Sequence, residues 1–438
     1  MNRLYQAHIA ELTRRYDEAL QETKFEAVII TAGSPAPVFN DDQTQPFRAN
    51  PYLVQWAPLL AHPDAMLCYC KSGTPRLYIY EPDDFWHKAA DIPAILKDTI
   101  IEVSTVREGT ELYDRASEMP RKTVLIGEVR EKGDTFGISK VNPKIFLDHL
   151  NYQRSIKTPY EIACITEANR MAIPGHLAAE ENFNSGGTEY DIQLAFRTAC
   201  RVTDNEMPYP AIVALNEHAA TLHYQHLDKT PKNNLSLLID AGCSVNGYAS
   251  DVTRTYSHDP VFGSMVAAMH ELQQELCAAA LPGVDFPELH HQATLKIASL
   301  LKEMELLTCS PDEAIETGIM QAFSPHGLGH FLGLQVHDVG SLQTDREGHS
   351  EEPPSDPPNL RLARQLEAGN VITVEPGVYF IDSLLKRLQD QPAGEHINWQ
   401  NLAPLRRFGG IRIEDNLLIT ESGNKNLTRS AFAEYKPI

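Results

Sequence analysis

Two aspartates occur close together in a segment that otherwise predicts buried β-structure. Asp240 ends the apolar run at 237–239, and Asp251 follows the turn at 247–248. A β-hairpin would place the two carboxylates face to face, where they repel each other unless a cation lies between them. A single aspartate at a strand end is more often a turn former, so it is the pair that predicts a metal site.

Three histidines lie in the glycine-rich segment HGLGHFLGLQVHD. His326, His330 and His337 fall within twelve residues, a density that core packing does not readily explain. Gly327 and Gly329 let the backbone approach a ligand closely. One histidine alone would more often be an ordinary hydrogen-bonded side chain, whereas this group predicts ligand binding.

Two glutamates occupy β-rich segments that should be buried. Glu375 lies in VITVEPGVYF, directly before a Pro-Gly kink, and Glu414 lies in GGIRIEDNLLIT, two residues after Arg412. A buried carboxylate is costly unless a cation compensates it. Arg412 and Glu414 should share one face of a strand, so for these two alone a structural ion pair is the alternative.

The four carboxylates and one imidazole together form a donor set for metal ions. Mostly oxygen ligands with one histidine suit Mn²⁺, Co²⁺ or Mg²⁺ better than a thiolate zinc site does. Four carboxylates neutralise two divalent ions, which share a water, lower its pKa and stabilise the oxyanion of a hydrolytic transition state. The residues therefore predict hydrolysis.

The elements that must position these residues predict an α+β protein with a boundary near residue 154. Over the first 150 residues, strand-like runs such as AVIIT and RLYIY alternate with helical patterns. The sequence TPYE at 158–161 is typical of a helix N-terminus, and an α-α-β-β order then occurs twice. We predict a mixed α/β N-terminal domain over 1–153 and a larger catalytic domain over 154–438.

Charge and composition disfavour several classes of protein. The 38 Lys and Arg residues stand against 59 Asp and Glu, and a net charge of −21 argues against binding nucleic acid or an anionic membrane surface. The N-terminus lacks the apolar core of a secretion signal and no run is long enough to span a bilayer, which predicts a cytoplasmic protein. Seven cysteines without a CxxC pair favour neither disulfides nor thiolate zinc sites. The acidic, Pro-rich stretch 349–359 predicts a surface loop.

At these residues the sequence resembles the pita-bread metallopeptidases, and it is most similar to the bacterial Xaa-Pro dipeptidases (prolidases), which include the organophosphorus acid anhydrolases. IDAGCSVNGYASDVTRT, SPHGLGHFLGLQVHDVG, VITVEPGVYFIDSLL and FGGIRIEDN stand in the family order. HIAELTRR, FNDDQTQPF and DDFWHK extend the resemblance over nearly the whole chain. It implies a pita-bread (creatinase/aminopeptidase-like) C-terminal domain with a smaller mixed α/β N-terminal domain.

The resemblance implies roles for individual residues. The ligands of two divalent ions, Mn²⁺ first with Co²⁺, Zn²⁺ or Mg²⁺ as alternatives, would be Asp240, Asp251, His330, Glu375 and Glu414. Asp251 and Glu414 would bridge both ions, and Glu375 would also shuttle the proton to the leaving proline nitrogen. The predicted catalytic histidines are His223 and His337, and the predicted substrate-binding residues are Tyr209, His326, Arg361 and Arg412. His218 and Ser324 depart from the family pattern and bear on substrate preference.

The implied reaction is hydrolysis of Xaa-Pro dipeptides by a hydroxide held between two metal ions, with organophosphate esters as a possible second substrate class. His337 would stabilise the oxyanion, and an arginine would accept the substrate carboxylate. Aminopeptidase P, which shares the fold and ligands but takes longer peptides, is the alternative. Methionine aminopeptidase needs no such N-terminal domain, and a module without catalysis should have lost ligands. A homodimer is implied by the resemblance only.

Overall fold

The computed structural model describes residues 1–350, 352 and 360–435. Contacts divide the chain into two compact units: Met1–Ala163 with Asn246–Tyr248 and Asp345–His349, and Cys164–Val245 with Ala249–Thr344 and Ser350–Ile438. The domain boundary after residue 153 stays a prediction, and most of the predicted loop at 349–359 lies outside the described residues. None of the helices in the described part of the chain has the length and apolarity needed to cross a bilayer.

The first unit is built on a six-stranded mixed sheet. Its strands are β1 (Ala27–Thr31), β2 (Met66–Cys70), β3 (Arg76–Tyr80), β4 (Glu102–Val106), β5 (Thr123–Ile126) and β6 (Lys140–Val141). Its helices are α1 (Asn2–Thr23), α2 (Pro51–Trp56), α3 (Gly109–Ser117), α4 (Lys144–Arg154) and the first residues of α5 (Pro159–Asn184). The strand order is β4-β3-β2-β1-β5-β6, with β1 antiparallel to β2 and parallel to β5.

The apolar runs of the first unit form strands as predicted. The two edge strands, β4 and β6, were not predicted, because their sequences lack an apolar run. Every residue of the central strand β1 is buried, which explains its continuous apolar sequence. In β4 only Val106 is fully buried, and β6 has two residues. An edge strand that is largely exposed does not need the apolar pattern by which strands are recognised.

The start of α5 has the predicted capping arrangement. The Thr158 backbone N–H donates to Glu161 Oε2 at 2.8 Å, and the Glu161 N–H donates to Thr158 Oγ1 at 3.4 Å. The two bonds satisfy backbone donors that the first turn of a helix leaves free.

The second unit contains the remaining elements. Its strands are β7 (Ile212–Leu215), β8 (Ser236–Asp240), β9 (Ser244–Val245), β10 (Tyr248–Ala249, in part), β11 (Thr253–Ser257), β12 (Val371–Val374), β13 (Gly377–Tyr379), β14 (Gly410–Arg412), β15 (Asp415–Thr420) and β16 (Gly423–Asn426). Its helices are α6 (Glu189–Cys200), α7 (Pro260–Ala279), α8 (Phe286–Glu303), α9 (Pro311–Glu316), α10 (Ile319–Phe323), α11 (Asp382–Gln389), α12 (Trp399–Leu402) and α13 (Leu427–Glu434). The helix pair α5-α6 precedes β7, β8 and β11, and the pair α7-α8 precedes β12 to β15, as the repeated pattern predicted.

A large apolar core holds the strands of the second repeat. It joins α7 and α8 to β12–β15, and the rings of Phe262 and Phe408 stack within it at 4.3 Å. Val374 and Val378 belong to this core and flank Glu375. Packing on both sides therefore fixes the backbone that carries this carboxylate.

Candidate active site

The two aspartates approach each other, but not as partners across the hairpin. β8 pairs with β11 so that Asp240 lies opposite Thr253, and the predicted face-to-face register is therefore wrong. Asp251 lies two residues before Thr253, and backbone hydrogen bonds from Ala241 to Val252 and from Ser250 to Cys243 continue the pairing on either side of it. The backbone is tight here, since a Cβ on Gly242 would lie 1.9 Å from the Ser250 carbonyl oxygen.

Tyr209 joins the two carboxylates. Its hydroxyl lies 2.8 Å from Asp240 Oδ1 and 2.6 Å from Asp251 Oδ1. A hydroxyl has one proton, so it donates to only one of these oxygens at a time. Asn416 holds the Asp251 backbone from the other side, because its Oδ1 accepts from the Asp251 N–H at 3.0 Å and its Nδ2 donates to the Asp251 carbonyl at 2.5 Å.

Glu414 enters the site from the loop between β14 and β15. Its backbone N–H donates to the Thr253 carbonyl at 3.0 Å, and the Thr253 hydroxyl donates to Glu414 Oε2 at 2.6 Å. The other carboxylate oxygen, Oε1, is buried and receives no hydrogen bond from the described residues. A buried carboxylate oxygen without a donor is costly, and a bound cation would compensate it.

A chain of hydrogen bonds runs from Asp240 to His326. Arg412 donates from Nη2 to Asp240 Oδ2 at 2.7 Å and from Nη1 to the Tyr379 hydroxyl at 2.8 Å. His326 Nδ1 donates to the Gly327 carbonyl at 2.8 Å, so its Nε2 accepts from the Tyr379 hydroxyl, also at 2.8 Å. Arg412 thus orients the carboxylate of Asp240, and Tyr379 orients the guanidinium.

His330 lies between Asp251 and Glu375. Its Nε2 is 3.5 Å from Asp251 Oδ2 and 3.5 Å from Glu375 Oε1. Its Nδ1 donates to the Phe331 carbonyl at 2.9 Å, which leaves Nε2 to face the carboxylates, as in metal-binding histidines. Backbone pairing with β12 holds this segment, and a Cβ on Gly329 would lie 2.1 Å from the Thr373 carbonyl oxygen.

Burial opposes ionisation of most of these carboxyls. It raises the pKa of Asp240 to about 6 and the pKa of Glu375 to about 7, and it raises the pKa of Glu414 well above its ordinary range. Burial acts in the same direction on Asp251, but His330, Tyr209 and His337 together outweigh it and lower that pKa. Burial lowers the pKa of His330, but Asp251 and Glu375 outweigh it and raise that pKa.

These donors fit divalent cations. Asp251, His330 and Glu414 each present one ligand atom, and the three atoms lie within 4.8 Å of one another. The set combines carboxylate oxygens with one imidazole, which suits hard to borderline ions. The unpartnered Glu414 Oε1 and the carboxyls with raised pKa values are the features that a bound cation would stabilise.

The remaining predicted residues lie around this cluster. His223, His337 and Arg361 are exposed, and His326 is half-buried. Desolvation, followed by the charges of His330, Arg361 and His223, lowers the pKa of His337 to about 4, which indicates that these groups are neighbours. The rings of His330 and His337 meet edge to face at 4.4 Å.

His218 contributes to a network around the buried Glu189 carboxylate, whose partners flank His223 along the chain. The Glu189 carboxylate accepts from His218 Nδ1 at 2.6 Å and from the Leu215 N–H at 2.9 Å, both through Oε1. Its Oε2 accepts from the Tyr224 hydroxyl at 2.8 Å and the Asp228 N–H at 2.7 Å. One carboxylate therefore anchors both ends of the segment that carries His223. The other departure, Ser324, is buried and ends α10.

Four residues of this arrangement were not identified from the sequence: Glu189, Thr253, Tyr379 and Asn416. Thr253 and Asn416 had a usable signal, since they are polar residues two positions from a predicted ligand on a strand. Tyr379 had no such signal, because its partners His326 and Arg412 lie far along the chain. Glu189 is separated from the site in sequence and looked like an ordinary first-turn residue.

Comparisons with known proteins agree over nearly the whole chain. The family model for metallopeptidase family M24 matches residues 163–421, and the model for the Xaa-Pro dipeptidase N-terminal domain matches residues 3–152. An Xaa-Pro dipeptidase of Shewanella loihica is 42% identical over 428 residues, 97% of each chain. A second, of a Shewanella species (strain W3-18-1), is 41% identical over 430 residues with the same coverage.

Solved structures show the same fold. Aminopeptidase P from Escherichia coli with the inhibitor Pro-Leu has a TM-score of 0.73 and 25% identity, covering 96% of this chain and 94% of that chain. The zinc-substituted E. coli enzyme in complex with product has a TM-score of 0.72 with the same identity and coverage. The pita-bread fold is thus confirmed, and the family match implies a hydrolase that uses divalent metal ions. The chain belongs to metallopeptidase family M24.

Proposed function

We propose that the protein is a metal-dependent dipeptidase that hydrolyses the bond between an N-terminal residue and a C-terminal proline. The observation that carries the hydrolase part is the convergence of buried carboxylates around His330, with Glu414 Oε1 lacking a donor among the described residues. The dipeptidase part is supported by relatives of that name, which are about 40% identical over 97% of the chain.

The proposed ligands of two divalent ions are Asp240, Asp251, His330, Glu375 and Glu414. Bound ions of this kind supply a low-pKa water and polarise the scissile carbonyl. Thr253, Arg412 and Asn416 support this assignment, because each holds a proposed ligand by a hydrogen bond of 3.0 Å or less. Ligands oriented in advance keep the geometry of the site before substrate arrives.

Glu375 and His337 are proposed to act on the substrate in different ways. Glu375 Oε1 lies 3.5 Å from His330 Nε2, and this carboxyl is proposed to take the proton of the nucleophile and return it. His337, with its pKa lowered to about 4, is neutral and offers an N–H group to the developing oxyanion. The Glu375 carboxyl is thus assigned both proton transfers, removal of the proton from the nucleophile and its donation to the proline nitrogen.

Of the two arginines in the predicted substrate site, Arg361 is the better candidate to bind the substrate carboxylate. Arg412 is buried, and its guanidinium already donates to Asp240, Tyr379 and Thr253. Arg361 is exposed and lies near enough to His337 to influence its pKa. We therefore assign Arg412 to positioning of the metal ligands and Arg361 to recognition.

The test is an assay of the Mn²⁺-reconstituted protein on Ala-Pro, Ala-Pro-Ala and Ala-Ala. We expect proline release from Ala-Pro, with little turnover of the other two peptides. Cleavage of the tripeptide at a comparable rate would identify the alternative, an aminopeptidase P. The alternative is tested because solved structures of that enzyme share the fold of this chain. As a matched pair, Asp251→Asn should be inactive and Asp390→Asn, at an exposed aspartate, fully active.

Several finer assignments rest on the sequence or on the family resemblance and are proposed with the function. They are Mn²⁺ as the working ion, a homodimer, a cytoplasmic location, organophosphate esters as a second substrate class, and domains of 1–153 and 154–438. Metal analysis of the purified protein and its sedimentation behaviour test the first two directly.

A further inference from the structure

A second group of potential metal ligands lies outside the carboxylate site. Cys309, Glu313 and His396 each offer one ligand atom, and the three atoms lie within 4.8 Å of one another. His396 Nε2 is 3.7 Å from Glu313 Oε1. None of these residues takes part in the proposed reaction, and sequence spacing gave no sign of the group because His396 is distant along the chain.

Backbone structure fixes the three residues relative to one another. Residues 307 and 397 form an isolated antiparallel bridge, and the Thr308 N–H donates to the His396 carbonyl at 2.9 Å. The Ser310 hydroxyl accepts from the Glu313 N–H at 3.2 Å and caps α9. Cys309 and His396 are thus held close together, His396 as the last residue of a 3₁₀-helix (Pro392–His396), and Glu313 lies in the first turn of α9.

The donor types match zinc better than the ions expected at the carboxylate site. A thiolate, an imidazole and a carboxylate are the common protein ligands of Zn²⁺, which binds four donors tetrahedrally. Bond lengths of about 2.0 to 2.3 Å place neighbouring donors of such a site about 3.3 to 3.6 Å apart. The 3.7 Å between His396 and Glu313 needs little adjustment.

Charge and access also suit a cation. A thiolate and a carboxylate together neutralise one divalent ion. The Cys309 side chain is buried, whereas the His396 and Glu313 side chains are 35% and 47% exposed. An ion can therefore reach the cluster from the surface and displace the thiol proton, since the thiolate is the form that binds metal.

We propose that Cys309, Glu313 and His396 form a Zn²⁺ site, with water as the fourth ligand. Three protein donors and a solvent molecule complete the tetrahedron. The site joins the segment before α9 to the segment before α12, which also share backbone hydrogen bonds and apolar packing. The ion would act as a structural clamp, and its binding does not depend on the proposed dipeptidase activity.

Cobalt(II) provides a selective probe, because the proposed catalytic ligands contain no sulfur. Co²⁺ is added to metal-free, full-length protein, and the thiolate-to-cobalt charge-transfer absorption is followed. We expect the band to grow as Co²⁺ is added, to saturate at the intensity of one cobalt–thiolate bond per chain, and to be bleached by Zn²⁺. His396→Gln should weaken binding by about tenfold or more, and Cys309→Ser should abolish the band. Cys68→Ser, at another buried cysteine, should leave it unchanged.

Two results would overturn the assignment. One is the absence of a thiolate band in the wild type at excess Co²⁺, and the other is a band that persists in both Cys309→Ser and His396→Gln. If Cys309→Ser does not fold, His396→Gln decides alone, because that side chain is partly exposed and its replacement leaves the core intact. Prolidase assays with Mn²⁺ on the same variants report separately on the proposed function.

Discussion

Replacing Glu375 by glutamine should stabilise the metal-free protein at alkaline pH while removing its activity. Burial raises the pKa of this carboxyl from an ordinary value of 4.5 to about 7. Between these values the folded protein keeps a proton that the unfolded chain has lost. The carboxyl therefore favours folding at low pH, and its contribution is lost as the pH rises through about 7. Glutamine is neutral at every pH and carries no such penalty.

The size of the effect follows from the two pKa values. One pKa unit corresponds to about 1.4 kcal/mol, so ionising Glu375 in the folded, metal-free protein costs about 3 kcal/mol. Burial of His326 and desolvation of His337 lower their pKa values to about 3 and about 4, which produces a pH dependence of opposite sign. Both proteins contain these histidines, so their contribution largely cancels in the difference between variant and wild type.

The measurement is urea unfolding of chelator-treated wild type and Glu375→Gln at about pH 5 and about pH 8. The free energy of unfolding of the variant, relative to wild type, should rise by about 3 kcal/mol between the two conditions. Added Mn²⁺ should stabilise the wild type more than the variant at about pH 8, because the ion compensates the charge of the buried carboxylate that glutamine lacks. Glu316→Gln, at an exposed glutamate, is the control and should show no pH-dependent difference.

A relative stability that is the same at both pH values would refute the reasoning. A variant that loses stability on going to about pH 8 would refute it more strongly, since it would mean that the Glu375 carboxylate is stabilised by its surroundings without a metal ion. Loss of activity alone would decide nothing, because several roles of Glu375 predict it.

Three further predictions concern the surroundings of this carboxyl. Asp251→Asn should reduce proline release from Ala-Pro by more than about 100-fold, because replacing even a residue that only orients a metal ligand lowers activity by about 10- to 100-fold. Near-normal turnover would exclude Asp251 as a ligand. Tyr379→Phe leaves the buried guanidinium of Arg412 without one acceptor and should lower the free energy of unfolding by about 1.5–3 kcal/mol in urea. Glu189→Gln places an amide N–H₂ group opposite two hydrogen-bond donors, so the segment that carries His223 should become less firmly held. KM should then rise more than kcat falls. Unchanged kinetics would show that other contacts hold the segment.

The parts of the fold that could be predicted are those in which neighbouring residues carry the signal. The capping box at Thr158 and the buried run of β1 are local patterns, and both elements begin where expected. The edge strands β4 and β6 were missed because an exposed strand has no need of an apolar face. The fold was predictable wherever burial imposed a pattern on adjacent positions.

The residue types of the site could be predicted from the sequence, but the pairing of the strands that carry them could not. The predicted ligand types do converge, yet Asp240 pairs with Thr253 and not with Asp251, since no local pattern shows how far a hairpin ladder extends. The links made by Tyr209 and Tyr379 join residues far apart in the chain. Tyr379 was not selected, and Tyr209 was expected as a substrate-binding residue and not as a link between the two aspartates. The cluster at Cys309 was hidden for the same reason, as one of its members lies far along the sequence.

The tight backbone crossings beneath the site have a consequence for its evolution. At Gly242 and Gly329 even a methyl group would lie about 2 Å from a carbonyl oxygen of the neighbouring chain segment. These positions carry no functional group, yet they tolerate no side chain. A saturation mutagenesis screen for dipeptidase activity should therefore record them as being as intolerant as the proposed ligands. The positions found to be essential would then include these glycines as well as the residues that take part in the reaction. During evolution, a site of this kind should change its substrate through substitutions at exposed residues, while these glycines stay fixed.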